Sequence, residues 1–260
     1  MPEIIEIEQY RRAAEGALDR EVASVQAPDS WFLKGGLTGQ EVTEALVGQS
    51  FVRTRRRGKL LLLDTDGGPT LGLRFGMTGR VVLDGYAPIE KLEYFHGRTD
   101  EAWNRFGLTF TDSGALVICD PRRLGGVELD PDEGRLGPDA WSVDREDLRE
   151  VLGTSTTALK ARLIDQSRLA GLGNLLVDEI LWRAGLDPRR AAGSLDDAQR
   201  SALALMIGEV LEDLDQRGGS HRGDLQDQRS RDGVCPLDAT PLLRRTIGGR
   251  TTYSCPEHQR

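Results

Sequence analysis

The residues best suited to chemistry stand at the start: Met1-Pro2-Glu3-Ile4-Ile5-Glu6-Ile7-Glu8. Removal of Met1 would leave Pro2 with a secondary amine at the chain terminus. Such an amine is a nucleophile that needs no side chain, and it forms an iminium when it attacks a sugar or carbonyl carbon. Glu3 and Glu6 place two carboxylates within four residues of it, close enough in sequence to handle protons. Many chains begin Met-Pro without consequence, so the rest of the sequence must decide.

Lys59 is the next candidate. Of 34 Lys plus Arg, only Lys34, Lys59, Lys91 and Lys160 are lysines. Where charge alone is needed this chain writes Arg, so a lysine inside Arg55-Arg56-Arg57-Gly58-Lys59 points to a use for its amine. The plain alternative is a solvated basic hairpin edge. Two turns, Arg74-Phe75-Gly76-Met77-Thr78-Gly79 and Asp120-Pro121-Arg122-Arg123-Leu124-Gly125, set an Arg beside an apolar residue. That pairing suits a wedge that fills a vacated base stack, or ordinary turn chemistry. Leu169-Ala170-Gly171-Leu172-Gly173-Asn174 links two helical stretches. Its glycines allow close backbone approach, and Asn174 reads as an N-cap within reach of a phosphate.

In the tail, Cys235-Pro236-Leu237-Asp238 is followed by Cys255-Pro256-Glu257-His258. The two-residue gap within each pair is the spacing of zinc ribbons, but Asp is an unusual structural ligand. Either Cys235, Asp238, Cys255 and His258 hold one structural zinc, or the ribbon is kept by packing without a tightly bound metal. The second is the expectation.

The elements that would position these residues follow from periodicity. Residues 8–19 have helical spacing, and the helix's positive end would face the proposed nucleophile. Thr38 starts a second helix running through Leu46. Short strands are expected over residues 22–25, 50–56, 60–64, 71–74, 80–83, 108–111 and 115–119, separated by Asp66-Gly67-Gly68-Pro69, Asp84-Gly85 and Asp112-Ser113-Gly114. Many short strands with tight turns indicate a β-sandwich. Residues 131–141, rich in Pro, Gly and acids, read as a linker. Helices are expected over 144–152, 159–164, 175–184 and 195–214, the last with an apolar stripe of Leu203, Leu205, Ile207, Val210, Leu211 and Leu214 and an end at Gly218-Gly219. Residues 220–234 read as a polar loop, and 240–255 as a hairpin turning at Gly248-Gly249. The expected fold is therefore α+β: a β-sandwich with flanking helices (1–130), the linker, a helical domain (142–225) and a small finger-like hairpin (226–260).

The bulk properties narrow the class. The net charge of −8 argues against non-specific nucleic-acid binding, yet residues 51–80 carry seven basic and two acidic side chains, so a local positive field survives. Three cysteines argue against a disulfide scaffold. No apolar run approaches a membrane span and no signal peptide is evident, so a cytoplasmic protein is expected.

Taken in order, these motifs resemble the formamidopyrimidine-DNA glycosylase/endonuclease VIII (Fpg/Nei) family of base-excision-repair enzymes over essentially the whole chain. Met-Pro-Glu is similar to its catalytic start, the Arg-Arg-Gly-Lys-Leu run to its hairpin lysine, the two turns to its void-filling loops, residues 163–174 to its helix–two-turn–helix, and the tail to its zinc finger. The resemblance implies a bifunctional DNA glycosylase/AP lyase acting on double-stranded DNA with damaged bases or abasic sites, as a monomer, in the cytoplasm and on the nucleoid. It implies Pro2 as nucleophile at C1′, Glu3 and Glu6 in proton handling, and Lys59 at phosphate and the lesion strand. Lys160, Asn174 and Arg250 would bind phosphates; Met77, Arg122 and Leu124 would fill the void. A DNA-binding protein on the same fold without catalysis is the alternative, though pure binding would not need Pro2 and Glu3. The chain departs from the family pattern in its Leu at 124, in the short loop between Gly219 and Cys235, in its finger ligands and in Ile4-Ile5.

Overall fold

Arg53, Arg55, Arg56 and Arg57 lie on a strand whose partner is nearly all leucine. Strand β2 (Phe51–Arg57) pairs antiparallel with β3 (Leu60–Thr65), with Arg56 opposite Leu61 and Arg57 opposite Leu60. A computed structural model of the chain describes residues 1–89, 92 and 100–260; Lys91 lies outside them. The chain divides into two units. The first comprises Met1–Pro2 and Glu6–Glu133, the second Glu3–Ile5 and Gly134–Arg260.

In the first unit two four-stranded antiparallel sheets form. One has the order β1-β6-β7-β5, from Val22–Gln26, Asn104–Phe110, Ala115–Cys119 and Arg80–Leu83. The other has the order β2-β3-β4-β8, where β4 is Leu71–Arg74 and β8 is Gly126–Leu129. Leu61, Leu63, Leu71, Leu73 and Val127 from one sheet share a core with Val22, Val81, Phe106, Leu108 and Ile118 from the other. This is the expected sandwich: residues two apart on β3 enter that core, and Leu60 and Leu62 are buried outside it. β8 lies where no strand is expected, and β6 begins at Asn104 rather than 108. Helix α2 (Gly39–Leu46) starts as read, with a capping box between Thr38 and Glu41.

Helix α1 spans Ile4–Ala14, four residues earlier than the periodicity indicated. Its start is set by Ile4 and Ile5, both fully buried, and by the Ile4 N–H, which donates to the Gly171 carbonyl at 3.0 Å.

The second unit packs α3 (Arg145–Leu152), α4 (Leu159–Leu163), α5 (Asn174–Arg183) and α6 (Asp197–Gln216) around an aliphatic core. α6 is capped by Asp196 and Gln199 and ends before Gly218, whose φ is 96°. Leu205 does not belong to its buried stripe: it is 68% exposed, because a residue two positions from Leu203 and Ile207 points away from their face. Residues 131–141 include a short 3-10 turn (Glu133–Arg135), and Asp139 bridges to Ala170. β9 (Leu243–Ile247) and β10 (Arg250–Ser254) make the terminal hairpin, turning through Gly248 and Gly249 at φ 57° and 71°.

Candidate active site and finger

Glu3 is fully buried, and its carboxylate is held by main-chain N–H groups at the start of α5. Oε2 accepts from Gly173 at 2.7 Å and from Leu176 at 3.3 Å; Oε1 accepts from Leu175 at 2.9 Å. These are donors that a helix start leaves without an intrahelical partner, and the helix dipole favours a negative charge there. The glycines make the seat possible. A Cβ on Gly173 would lie 2.3 Å from the Glu3 carboxyl carbon, and one on Gly171, at φ 118°, would lie 2.4 Å from Ile4 Cδ1. Gln166 braces the turn, donating to the carbonyls of Ile164 and Leu172 and accepting from the Gly171 N–H.

This corrects the reading of Asn174. The N-cap residue is Gly173, Asn174 is the first helical residue, and no side chain of the turn caps α5. Glu3, remote in sequence, does that work. Asn174 Oδ1 is buried with no hydrogen-bond partner.

Pro2 is buried, and Glu6 is 1% exposed in the first turn of α1. One turn on, Tyr10 is buried and its hydroxyl pKa is pushed well up, first by burial and then by the Glu6 charge, so it remains a donor. It donates to the Gly79 carbonyl at 3.1 Å, and its ring meets Phe75 at 4.8 Å between centroids. Tyr10 thus links α1 to the turn that carries Met77.

Lys59 is half-buried in the two-residue turn of the β2–β3 hairpin, behind Gly58 at φ 55°. The neighbouring arginines have other work. Arg55 pairs with Asp64 and Glu133, each at 2.7 Å, and its pKa is raised, foremost by the Asp64 bond; Arg56 pairs with Glu8 at 3.2 Å. Arg55 and Arg56 are thus held by carboxylates, while Lys59 stands at the tip of the same hairpin.

The two candidate wedge turns are joined. Thr78 Oγ1 donates to Asp120 Oδ1 at 2.5 Å, and the fully buried Asp120 also accepts the N–H groups of Arg122 and Gly125. Gly76, at φ 54°, runs so close that a Cβ would lie 2.5 Å from the Leu124 carbonyl carbon. Met77 is half-buried, Arg122 is exposed, and Leu124 is 51% exposed. Arg123 Nε and Nη2 each donate to Asp29 at 2.6 Å.

Lys160 is fully buried, and Nζ donates to Asp178 at 2.6 Å and to the Thr251 carbonyl at 3.2 Å. Burial lowers its pKa, opposed chiefly by the Asp178 charge. Arg229 also bonds Asp178 and lies over the Tyr253 ring at 5.2 Å. Glu179 accepts the N–H groups of Asp224 and Leu225, both at 2.9 Å. Residues 220–234 are thereby tied to α5. Sequence reasoning missed Asp178 and Glu179. The signal was there: two acids inside the apolar run Leu175–Trp182 must be paired if the helix is buried on all sides. Arg250, at the start of β10, is exposed, and its Nη1 contacts the Gly249 carbonyl at 3.4 Å.

Cys235, Asp238, Cys255 and His258 form a group that could hold a metal ion, with one ligand atom from each lying within 4.8 Å of the others. Cys235 Sγ lies 3.5 Å from His258 Nδ1, and Cys255 Sγ 3.3 Å from Asp238 Oδ2. Two thiols, a carboxylate and an imidazole converging at such spacing fit a four-coordinate centre of mixed donors.

Comparison with known proteins agrees with this arrangement. Residues 1–127 match the formamidopyrimidine-DNA glycosylase N-terminal domain, and residues 136–222 match the formamidopyrimidine-DNA glycosylase H2TH domain. The formamidopyrimidine-DNA glycosylases of Heliobacterium modesticaldum and Ruegeria pomeroyi are 36% and 37% identical, each covering 100% of both chains. A crystal structure of Lactococcus lactis Fpg with Fapy-dG-containing DNA superposes with a TM-score of 0.82 at 26% identity, covering 99% of this chain and 100% of that one. The chain belongs to the formamidopyrimidine-DNA glycosylase family.

Proposed function

We infer that this chain is a base-excision-repair DNA glycosylase with AP lyase activity, acting on DNA that contains damaged bases or abasic sites. Its relatives carry that name, and the structures it resembles are complexes with such DNA. The observation that carries the reading is the seat of Glu3. A buried carboxylate fixed by three main-chain donors directly follows the residue that becomes the terminus once Met1 is lost. With Met1 attached, the Pro2 nitrogen is an amide and not a nucleophile.

In the proposed mechanism the freed Pro2 amine attacks C1′ and the damaged base departs. The sugar ring opens to an iminium, a proton is taken from C2′, and the 3′ phosphate leaves by elimination. Glu3 and Glu6 handle protons at the sugar, and Lys59 meets the lesion strand from the hairpin tip. Met77, Arg122 and Leu124 occupy the space left by the extruded nucleotide, since C1′ chemistry needs the base out of the stack. Arg250 binds phosphate, and Asn174 lies at the helix start where phosphates bind. Lys160 acts through Asp178 as a positioning residue. The finger takes one zinc ion on Cys235, Asp238, Cys255 and His258, which supplies fold stability rather than chemistry. Among the described residues no helix is long and apolar enough to cross a membrane; a cytoplasmic, nucleoid-associated setting follows from the DNA substrate.

Borohydride trapping tests the reading. Incubation with abasic-site DNA and reductant gives a covalent adduct in the wild type, and Pro2→Gly reduces it severely. No adduct in the wild type would leave the non-catalytic DNA-binding alternative. An undiminished adduct in Pro2→Gly with Lys59→Ala would sink the proline mechanism.

A further inference from the structure

We propose that Trp182, on α5, is the outer support of the finger's metal centre and couples that centre to the helix whose start seats Glu3. The inference rests on the zinc reading above. Two separate contacts carry it. The Trp182 indole Nε1–H donates to Cys235 Sγ at 3.4 Å. The Trp182 main-chain carbonyl lies 3.0 Å from His258 Nε2.

The second contact fixes a tautomer. A carbonyl oxygen only accepts, so His258 Nε2 must carry the proton. In the neutral imidazole Nδ1 then holds the lone pair, and Nδ1 is the atom facing Cys235 Sγ at 3.5 Å and Asp238 Oδ2 at 3.6 Å. The neutral imidazole therefore presents Nδ1, the nitrogen on the side of the other three ligands, to a metal. The first contact stabilises a thiolate, because an N–H donor to sulfur offsets part of its negative charge. Two thiolates and one carboxylate against a divalent ion leave one net negative charge on the centre. The indole is its partner on the buried side, while Asp238 is exposed.

Packing agrees. Trp182 is 4% exposed and shares the finger's small core with Leu225, Cys235, Tyr253 and Cys255, and its ring stands edge-on to His258 at 6.0 Å and 78°. Groups that hydrogen-bond to metal ligands govern how tightly the metal is kept.

The test uses the full-length protein. Trp182→Phe keeps a ring in the core and removes the N–H. Zinc loss to a chelator should become about tenfold faster, and the thiolate-to-cobalt charge-transfer band of the cobalt-loaded protein should shift. Leu225→Ala, which removes packing from the same core but no donor to sulfur, should lower the melting temperature and leave that band in place. A variant-independent check loads the wild type with the NMR-active cadmium isotope and looks for scalar coupling between the metal and the Trp182 indole proton. An unshifted band in Trp182→Phe, or absence of that coupling, overturns the proposal. A wild type that binds no stoichiometric metal overturns the zinc reading and this proposal with it; a metal-loaded wild type lacking the coupling overturns this proposal alone.

Discussion

Glu3 Oε2 accepts the Gly173 N–H at 2.7 Å, and a Cβ on Gly173 would lie 2.3 Å from the carboxyl carbon. The carboxylate and the missing side chain occupy one space. Gly173→Ala should therefore displace Glu3, lowering both adduct formation and stability, the latter by roughly 1–3 kcal/mol as overpacking does. Gly208→Ala, in α6 with nothing within 4 Å, is the control. It should raise stability by about 0.5–1 kcal/mol and leave activity alone. Denaturant unfolding and trapping on both variants give the comparison; equal stability changes in the two would refute the steric account.

Glu3→Gln keeps the volume but gives up the charge. The amide can accept from only one side, and its NH2 would face N–H donors. A loss of about 2 kcal/mol is expected from charge-assisted bonds of this kind, together with at least a ~100-fold fall in base excision if Glu3 moves protons. Unchanged excision in a folded Glu3→Gln protein would remove Glu3 from the chemistry while leaving its structural role.

Lys160 and Arg250 should separate in salt titrations of DNA binding. Arg250→Ala should weaken binding and reduce the slope of log K against log salt by about 1, as loss of one phosphate contact does. Lys160→Ala should leave the slope unchanged and cost roughly 3–5 kcal/mol of stability, because it strips a partner from buried Asp178. Should Lys160→Ala reduce the slope as Arg250→Ala does, the lysine meets phosphate after all.

Asp29 supplies a pH dependence. Its carboxyl pKa is lowered, first by the hydrogen bonds from Arg123. A depressed carboxyl contributes stability that is complete above the unfolded value of about 3.9 and fades as pH falls through the lower folded value. The 120–125 turn should thus stay latched at neutral pH and loosen only in strong acid. Asp29→Asn should flatten the acid limb of a stability-against-pH curve below pH ~4; an unaltered limb would show that the pair contributes nothing.

How much of this was legible in the sequence depended on whether the cause was local. The hairpin that carries Lys59 is legible because its apolar run Leu60-Leu61-Leu62-Leu63 and its Gly58-Lys59 turn are neighbours in the chain. Thr38 and Glu41 announced α2 for the same reason. β8 could not be read, since Gly126–Leu129 is a strand only by pairing with β4, some fifty residues earlier. Asn174 reads as a cap because no local residue reveals that Glu3, about 170 positions away, takes the N–H groups. The burial of Lys160 against Asp178 is not legible either, because a lysine looks the same in sequence whether it faces solvent or a buried carboxylate.

The close passage of Gly76 by the Leu124 main chain bears on how such a protein changes over generations. Any side chain at position 76 would strike the backbone of the other turn, and Thr78 is tied to Asp120 besides. At position 76 the first turn cannot gain a side chain while the main chain at Leu124 stays as it is. A change at position 76 is expected to arrive together with a shift of the 120–125 turn, so a library that randomises position 76 alone would return glycine in most folded clones.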